Sequence, residues 1–171
     1  MMAKACGAVS LALLVALAGC SPGGNGAPAA AASDQIARPA GEASVHPTSG
    51  LQVQPLSVAV GNGVHNFRVE MARTSEEQAQ GLMFRTAMGP DEGMLFPRQE
   101  ARMASFWMKN TLIPLDIIFI GADRRIINIA ANTVPYSTVP VPSEGPALAI
   151  LELNGGRAAE LGIVPGAKVE W

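Results

Sequence analysis

A few charged side chains interrupt apolar stretches of this sequence, and any chemistry has to start from them. Trp107-Met108-Lys109-Asn110-Thr111 is followed closely by Pro114-Leu115-Asp116. Glu152 sits inside Ala149-Ile150-Leu151-Glu152-Leu153, and Arg85 closes a helical pattern. Polar groups set among apolar strands must find partners. In an extended strand, Trp107 and Lys109 share one face while Phe106, Met108 and Asn110 share the other. A bend ending at Pro114 would return Asp116 to Lys109. Two arrangements follow. In one, Arg85, Lys109, Asp116 and Glu152 line a polar pocket for a small anionic or zwitterionic ligand, with Trp107 as one wall and Asn110 in the same cluster. In the other, Lys109–Asp116 and Arg85–Glu152 are ion pairs that satisfy each other beneath a loop. The ion pairs are preferred, because such pairs often set register without any ligand.

Other chemistries are weaker or excluded. Asp116 and Glu152 would suit hydrolysis if they stood about 5–9 Å apart, but nothing in their spacing demands it. Met71, Met83, Met88, Met94, Met103 and Met108 are close in sequence, and thioethers bind Cu(I). None of them falls in a Met-x-Met or Met-x-x-Met pattern, and methionine is a common filler of cores. No metal and no cofactor is therefore expected. The only histidines are His46 and His65, which excludes a multi-histidine zinc site. His65, at a hairpin edge, reads as exposed, and Asp91-Glu92 reads as a solvated loop. Cys6 and Cys20 are the only cysteines, so the chain beyond residue 20 has no disulfide, thiolate site or nucleophilic thiol. A formal charge of −2 and a pI near 5.7 leave no basic stripe for nucleic acid.

The elements that must position these residues are mostly short strands. Stretches 53–60 and 64–72 read as strands joined at Gly61-Asn62-Gly63. Thr74 and Glu77 form a capping box that opens a helix running to about Phe84, weakened at Gly81. Gly93 to Phe96 reads as a short strand ended by Pro97, and Ala104 to Asn110 as another. Leu115 to Ile120 and Arg125 to Ala131 flank Gly121-Ala122-Asp123, the clearest hairpin in the chain. Ala147 to Leu153 is a strand, Arg157 to Leu161 a short helix stopped by Gly162, and Lys168 to Trp171 a last strand. The expected fold is mainly β (α+β): a small barrel or sandwich of about seven or eight short strands, with one main helix and one short C-terminal helix.

The N-terminal third reads differently. A weakly positive start and the apolar run Ala8 to Ala18 describe a secretory signal peptide, the run being too short for a membrane span. Leu17-Ala18-Gly19-Cys20 matches the bacterial lipoprotein box, so residues 1–19 are expected to be removed and Cys20 to carry lipid. Several acyl chains on one residue give lasting attachment to a membrane. Ser21 resembles the outer-membrane sorting residue of Gram-negative lipoproteins, which places the protein on the periplasmic face of the outer membrane in such a host. Residues 20–50, rich in Gly, Ala, Pro and Ser, form the lipidated flexible linker, with a mean reach of roughly 30 Å. All eight aromatic residues lie between Phe67 and Trp171, so a single domain is expected over 51–171.

Several short motifs in that domain carry a family resemblance. They are Gly81-Leu82-Met83-Phe84-Arg85, Gly93-Met94-Leu95-Phe96, Phe106-Trp107-Met108-Lys109-Asn110-Thr111 and Ile113-Pro114-Leu115-Asp116, then Leu151-Glu152-Leu153 and Gly162-Ile163-Val164-Pro165-Gly166. In this order the chain resembles the bacterial and archaeal family called domain of unknown function 192. The resemblance implies a compact, mainly β domain, often exported, and brings no established activity, substrate or cofactor. The expected function is non-enzymatic binding of a small ligand or an envelope protein partner. The alternatives are an enzyme acting on envelope glycan or peptide through Asp116 and Glu152, and a purely structural scaffold.

Overall fold

The computed structural model describes residues 44–171. The leader over 1–19, Cys20 and the linker as far as residue 43 lie outside the described residues. From residue 44 the chain forms β1 (Ser44–Val45), β2 (Gln52–Val60), β3 (Gly63–Met71), α1 (Ser75–Gln80) and β4 (Glu92–Arg102). Then come β5 (Ser105–Phe106), β6 (Leu115–Ile120), β7 (Ile126–Thr133), β8 (Val141–Pro142), β9 (Ala147–Asn154), α2 (Arg157–Leu161) and β10 (Val169–Glu170).

The main sheet has the order β1-β2-β3-β4-β9-β6-β7, with β10 also paired to β2. Each pair is antiparallel except β3–β4, which is parallel. A parallel pair needs a crossover, and α1 with the loop after it provides one. One bridge, Arg125–Lys168, joins the residue before β7 to the residue before β10. The sheet curls at that corner, but a single bridge is no continuous ladder, and the sheet does not close. The barrel half of the expectation is therefore corrected, while a mainly β, sandwich-like α+β domain stands.

Alternation along the central strands makes two cores. Leu56, Phe67, Leu95, Ile118 and Leu151 pack on one face with Ala158 of α2 and Val169 of β10. Met94, Phe96, Ile117, Phe119 and Ile150 pack on the other, covered by Leu82, Ala104 and Met108. A strand covered on both faces reads as a continuous apolar run, and every residue of β6 is buried.

Three local expectations are corrected. The capping box of α1 is present, but the helix stops at Gln80 rather than near Phe84, because Gly81 leaves it at φ 48°. Pro97 does not end β4; the β4–β9 register shifts between Pro97 and Arg102, where an irregular ladder tolerates a residue without N–H. The strand expected over 104–110 shrinks to β5, paired with β8. Beyond it Thr111 N–H turns back to the Met108 carbonyl, and Asn110 takes φ 56°, so alternating faces do not apply to Trp107 and Lys109. Ser44–Val45 also pairs with β2, which carries ordered backbone ahead of residue 51.

Candidate functional site

The register of the central strands places two glutamates in one row. Glu70 of β3 lies opposite Met94 of β4, Met94 opposite Glu152 of β9, and Glu152 opposite Ile117 of β6. Residues in register share a face, so both carboxylates point to the side covered by α1 and the 103–114 segment. Both are buried, at 3% and 4% exposure.

Their surroundings differ. Glu70 receives Arg85 in a two-pronged pair, Nη1–Oε1 at 2.8 Å and Nη2–Oε2 at 3.0 Å. Ser49 Oγ also donates to Glu70, and His46 lies beside it. Glu152 has no hydrogen-bond or ion-pair partner among the described residues. Its burial alone pushes the carboxyl up to about 8, so the group is neutral at pH 7.

Glu152 opens onto a cavity of about 260 Å³. The end of α1 and the residues after it supply Gln78, Gly81 and Leu82 on one side. Phe96 of β4 and Phe106 of β5 form an edge-to-face pair, ring centres 5.0 Å apart, on another. The 107–111 turn adds Trp107, Lys109 and Thr111, and Arg98 of β4 completes the rim. Trp107 is 51% exposed, and the Lys109 ammonium lies over its ring at 5.3 Å. Gln78 is held by its own contacts, its Nε2 donating to the carbonyls of Ala72 and Pro97.

The structure places Trp107, Lys109 and Glu152 around one cavity and separates the other members of the cluster. The Lys109–Asp116 pair is not formed. Asp116 and Glu152 sit in adjacent, neighbouring-register positions of β6 and β9, and so point to opposite faces. Asp116 is fully buried and accepts backbone N–H groups: Asn132 (2.7 Å) and Gly156 (2.9 Å) on Oδ1, Ala158 (2.7 Å) on Oδ2. It holds the start of α2. The Arg85–Glu152 pair is likewise replaced by Arg85–Glu70, because the early end of α1 carries Arg85 to the β3 side. Asn110 stands beside the cavity, its Nδ2 3.8 Å from the Met83 sulfur. His65 is not free but bonds Asp91 at 2.9 Å, and Arg157 joins the same carboxylate at 2.7 Å. These partners hold Asp91 below the usual carboxylate range.

Sequence reasoning missed Glu70, Arg98, Phe96 and Phe106. Glu70 alternates with Phe67, Val69 and Met71 in β3, a pattern that reads as solvent-facing; only the segment folded over that face buries it. The two phenylalanines carried no polar signal. The loop after α1, the 107–111 turn and the loop after β7 are joined through backbone hydrogen bonds, Phe84 N–H to the Asn110 carbonyl and Tyr136 N–H to the Thr111 carbonyl. Phe84, Asn110 and Tyr136 all have φ near +60°, values that non-glycine residues rarely adopt. Such backbone concentrates where surrounding structure holds it in place. Among the described residues no group of acidic, histidine or cysteine side chains is arranged to hold a metal.

The family model DUF192, described as "Uncharacterized ACR", matches residues 57–171. A crystal structure of a protein of unknown function from Novosphingobium aromaticivorans DSM 12444 is 62% identical, with a TM-score of 0.75 over 77% of this chain and 94% of that one. A crystal structure from Sinorhizobium meliloti 1021, of a protein named as a candidate transcription regulator, is 40% identical, with a TM-score of 0.68 over 70% of this chain and 94% of that one. No curated protein matches.

Proposed function

The chain belongs to the DUF192 family, and we propose that its domain is a non-catalytic module that binds a small ligand in the cavity over Glu152, displayed at the cell envelope by lipid on Cys20. The observation that carries the binding reading is the partnerless carboxyl at the cavity floor. Among the described residues no fully buried side-chain oxygen lacks a hydrogen bond, so the unbonded oxygens of Glu152 are reached from the cavity, where an occupant can pair with them. A bound molecule that hydrogen-bonds Glu152 gives the residue a use. Catalysis through paired carboxylates has less support, because Asp116 faces the other core and is fully engaged by backbone N–H groups. Regulation of transcription is a name attached to a neighbour; the charge of −2 gives this chain no electrostatic footprint for nucleic acid. The envelope reading rests on the lipoprotein box at Leu17-Ala18-Gly19-Cys20.

One measurement tests both parts. The full chain, expressed in a bacterial host and extracted in mild detergent, is weighed by native mass spectrometry and then by denaturing mass spectrometry. The denatured mass is expected to lack residues 1–19 and to carry acyl chains on Cys20. The native mass is expected to exceed the denatured one by a small organic molecule, and the excess to disappear in Glu152→Leu. An uncut, unacylated chain overturns the envelope reading, and an excess unaffected by the substitution overturns the cavity.

A further inference from the structure

The charges around the cavity point to the kind of ligand. Facing it are Glu152 from β9, Arg98 from β4 and Lys109 from the 107–111 turn; α1 contributes only the uncharged Gln78 and Gln80. The nearest other carboxylate in the same row, Glu70, is taken by Arg85. Among the described residues neither Lys109 nor Arg98 has a carboxylate partner. Arg98 is instead turned to the carbonyls of Arg102 and Met103. Cations therefore sit at the rim, where Lys109 is exposed, and the uncharged acid sits at the floor, where Glu152 is buried.

A protonated carboxyl is both a donor and an acceptor. It matches an alcohol or an amide, each of which can accept its O–H or donate to its C=O. The rings of Phe96, Phe106 and Trp107 line the space between floor and rim. A volume of about 260 Å³ admits a single ring with short substituents, below the range of drug-sized pockets.

We propose that the cavity takes a small organic acid of apolar or aromatic body, its carboxylate held at the rim by Lys109 and Arg98 and a neutral hydroxyl or amide at its far end paired with Glu152. This rests on the binding reading above and adds the class and the orientation of the ligand. The neutral form of Glu152 is the one that tolerates an acid in the same low-dielectric space. Ionised, it would repel the ligand's charge and lose its donor. Binding is thus expected to weaken as pH rises through the alkaline titration of Glu152.

The test is a titration of the full chain with 4-(hydroxymethyl)benzoate, 4-methylbenzoate and 4-methylbenzylamine, read from the indole N–H signals in NMR spectra. Trp107 reports the cavity, and Trp171, stacked at 3.4 Å on Arg124, is the internal control. The hydroxymethyl acid is expected to bind about tenfold more tightly than the methyl acid, the worth of one hydrogen bond to a buried polar group. The amine is expected to leave Trp107 unmoved. Between about pH 6.5 and about pH 9 the affinity of the hydroxymethyl acid is expected to fall severalfold. Glu152→Gln, which keeps a donor and an acceptor but cannot titrate, is expected to abolish that fall, and Glu152→Leu to erase the preference for the hydroxyl.

If the amine moves Trp107 and the acids do not, the acid class is wrong and the binding cavity stands. If the acids bind with no hydroxyl preference or no pH dependence, Glu152 is not their inner partner and the orientation is wrong. If none of the three moves Trp107 at millimolar concentration while mass spectrometry finds a retained molecule, the class is again wrong. If none moves it and nothing is retained, the class and the cavity reading fall together.

Discussion

Glu70 and Glu152 occupy the same face of the sheet on either side of Met94, and what separates them is the company each keeps. A buried carboxylate met by a two-pronged guanidinium has its charge compensated; one that forms no ion pair or hydrogen bond with its neighbours does not. Glu152 is raised to about 8 from an ordinary value of 4.5, so the folded state holds its proton where the unfolded chain has released it. A group raised in this way leaves stability intact below the unfolded value and erodes it as pH climbs towards the folded one. The domain is therefore expected to lose stability between about pH 4.5 and about pH 8 on account of this residue, by a few kcal/mol at roughly 1.4 kcal/mol per unit. Urea titrations of the wild type and Glu152→Gln across that range check it. The variant should match the wild type near pH 4.5 and exceed it by a margin that grows up to about pH 8 and then levels off, and parallel curves would refute the assignment. That Glu152 interrupts an apolar strand was plain in the sequence, but its lack of a partner was not. Arg85 looked available, and only the stop of α1 at Gly81 sends that guanidinium to Glu70.

Elements here depend on residues distant in sequence. α2 is five residues long, with Gly156 at its N-cap in a left-handed conformation and no side chain of its own to cap it. Asp116, on β6, does that work across the sheet and ties in Asn132 of β7 as well. Asp116→Ala would leave these buried N–H groups unpaired and is expected to cost about 3–5 kcal/mol. Asp116→Asn keeps one accepting oxygen and should cost less, about 1–3 kcal/mol. Urea midpoints give both values, and the amide of Ala158 should exchange faster with solvent in either variant. The local parts were readable because their signals are local. Gly61-Asn62-Gly63, Gly121-Ala122-Asp123 and the Thr74–Glu77 box all lie where turn and cap chemistry put them. The pairings that span the domain were not. Nothing in β6 itself says that Asp116 caps a helix forty residues later, and a proline in β4 reads as an end until its partner strand shows a shifted register.

At the scale of the whole molecule, the body begins before its composition suggests. Residues 44–50 contain no aromatic and little that is apolar, yet Ser44 and Val45 pair with Val53 and Gln52, and Ser49 reaches Glu70. This strap, with Arg85, closes the edge of the second core over Glu70, and the C-terminus is anchored further along the same edge of β2 by β10, β3 taking the other edge. Segments of this kind are weakly encoded because they gain order from what they cover rather than from their own periodicity. The strap and the ion pair are expected to be coupled. In a chain that keeps residues 44–171, Arg85→Leu leaves a buried carboxylate unpaired and should cost about 3–5 kcal/mol. Starting the chain at Leu51 should by itself cost about 1–2 kcal/mol through lost pairing and the lost Ser49 contact, a shift of several degrees in Tm. Because that truncation also lets water reach Glu70, the same Arg85→Leu change should cost markedly less in the shorter chain. A double-mutant cycle measured by thermal and urea unfolding reads the coupling directly. Strict additivity would mean that residues 44–50 merely lie on the surface and leave the second core unaffected.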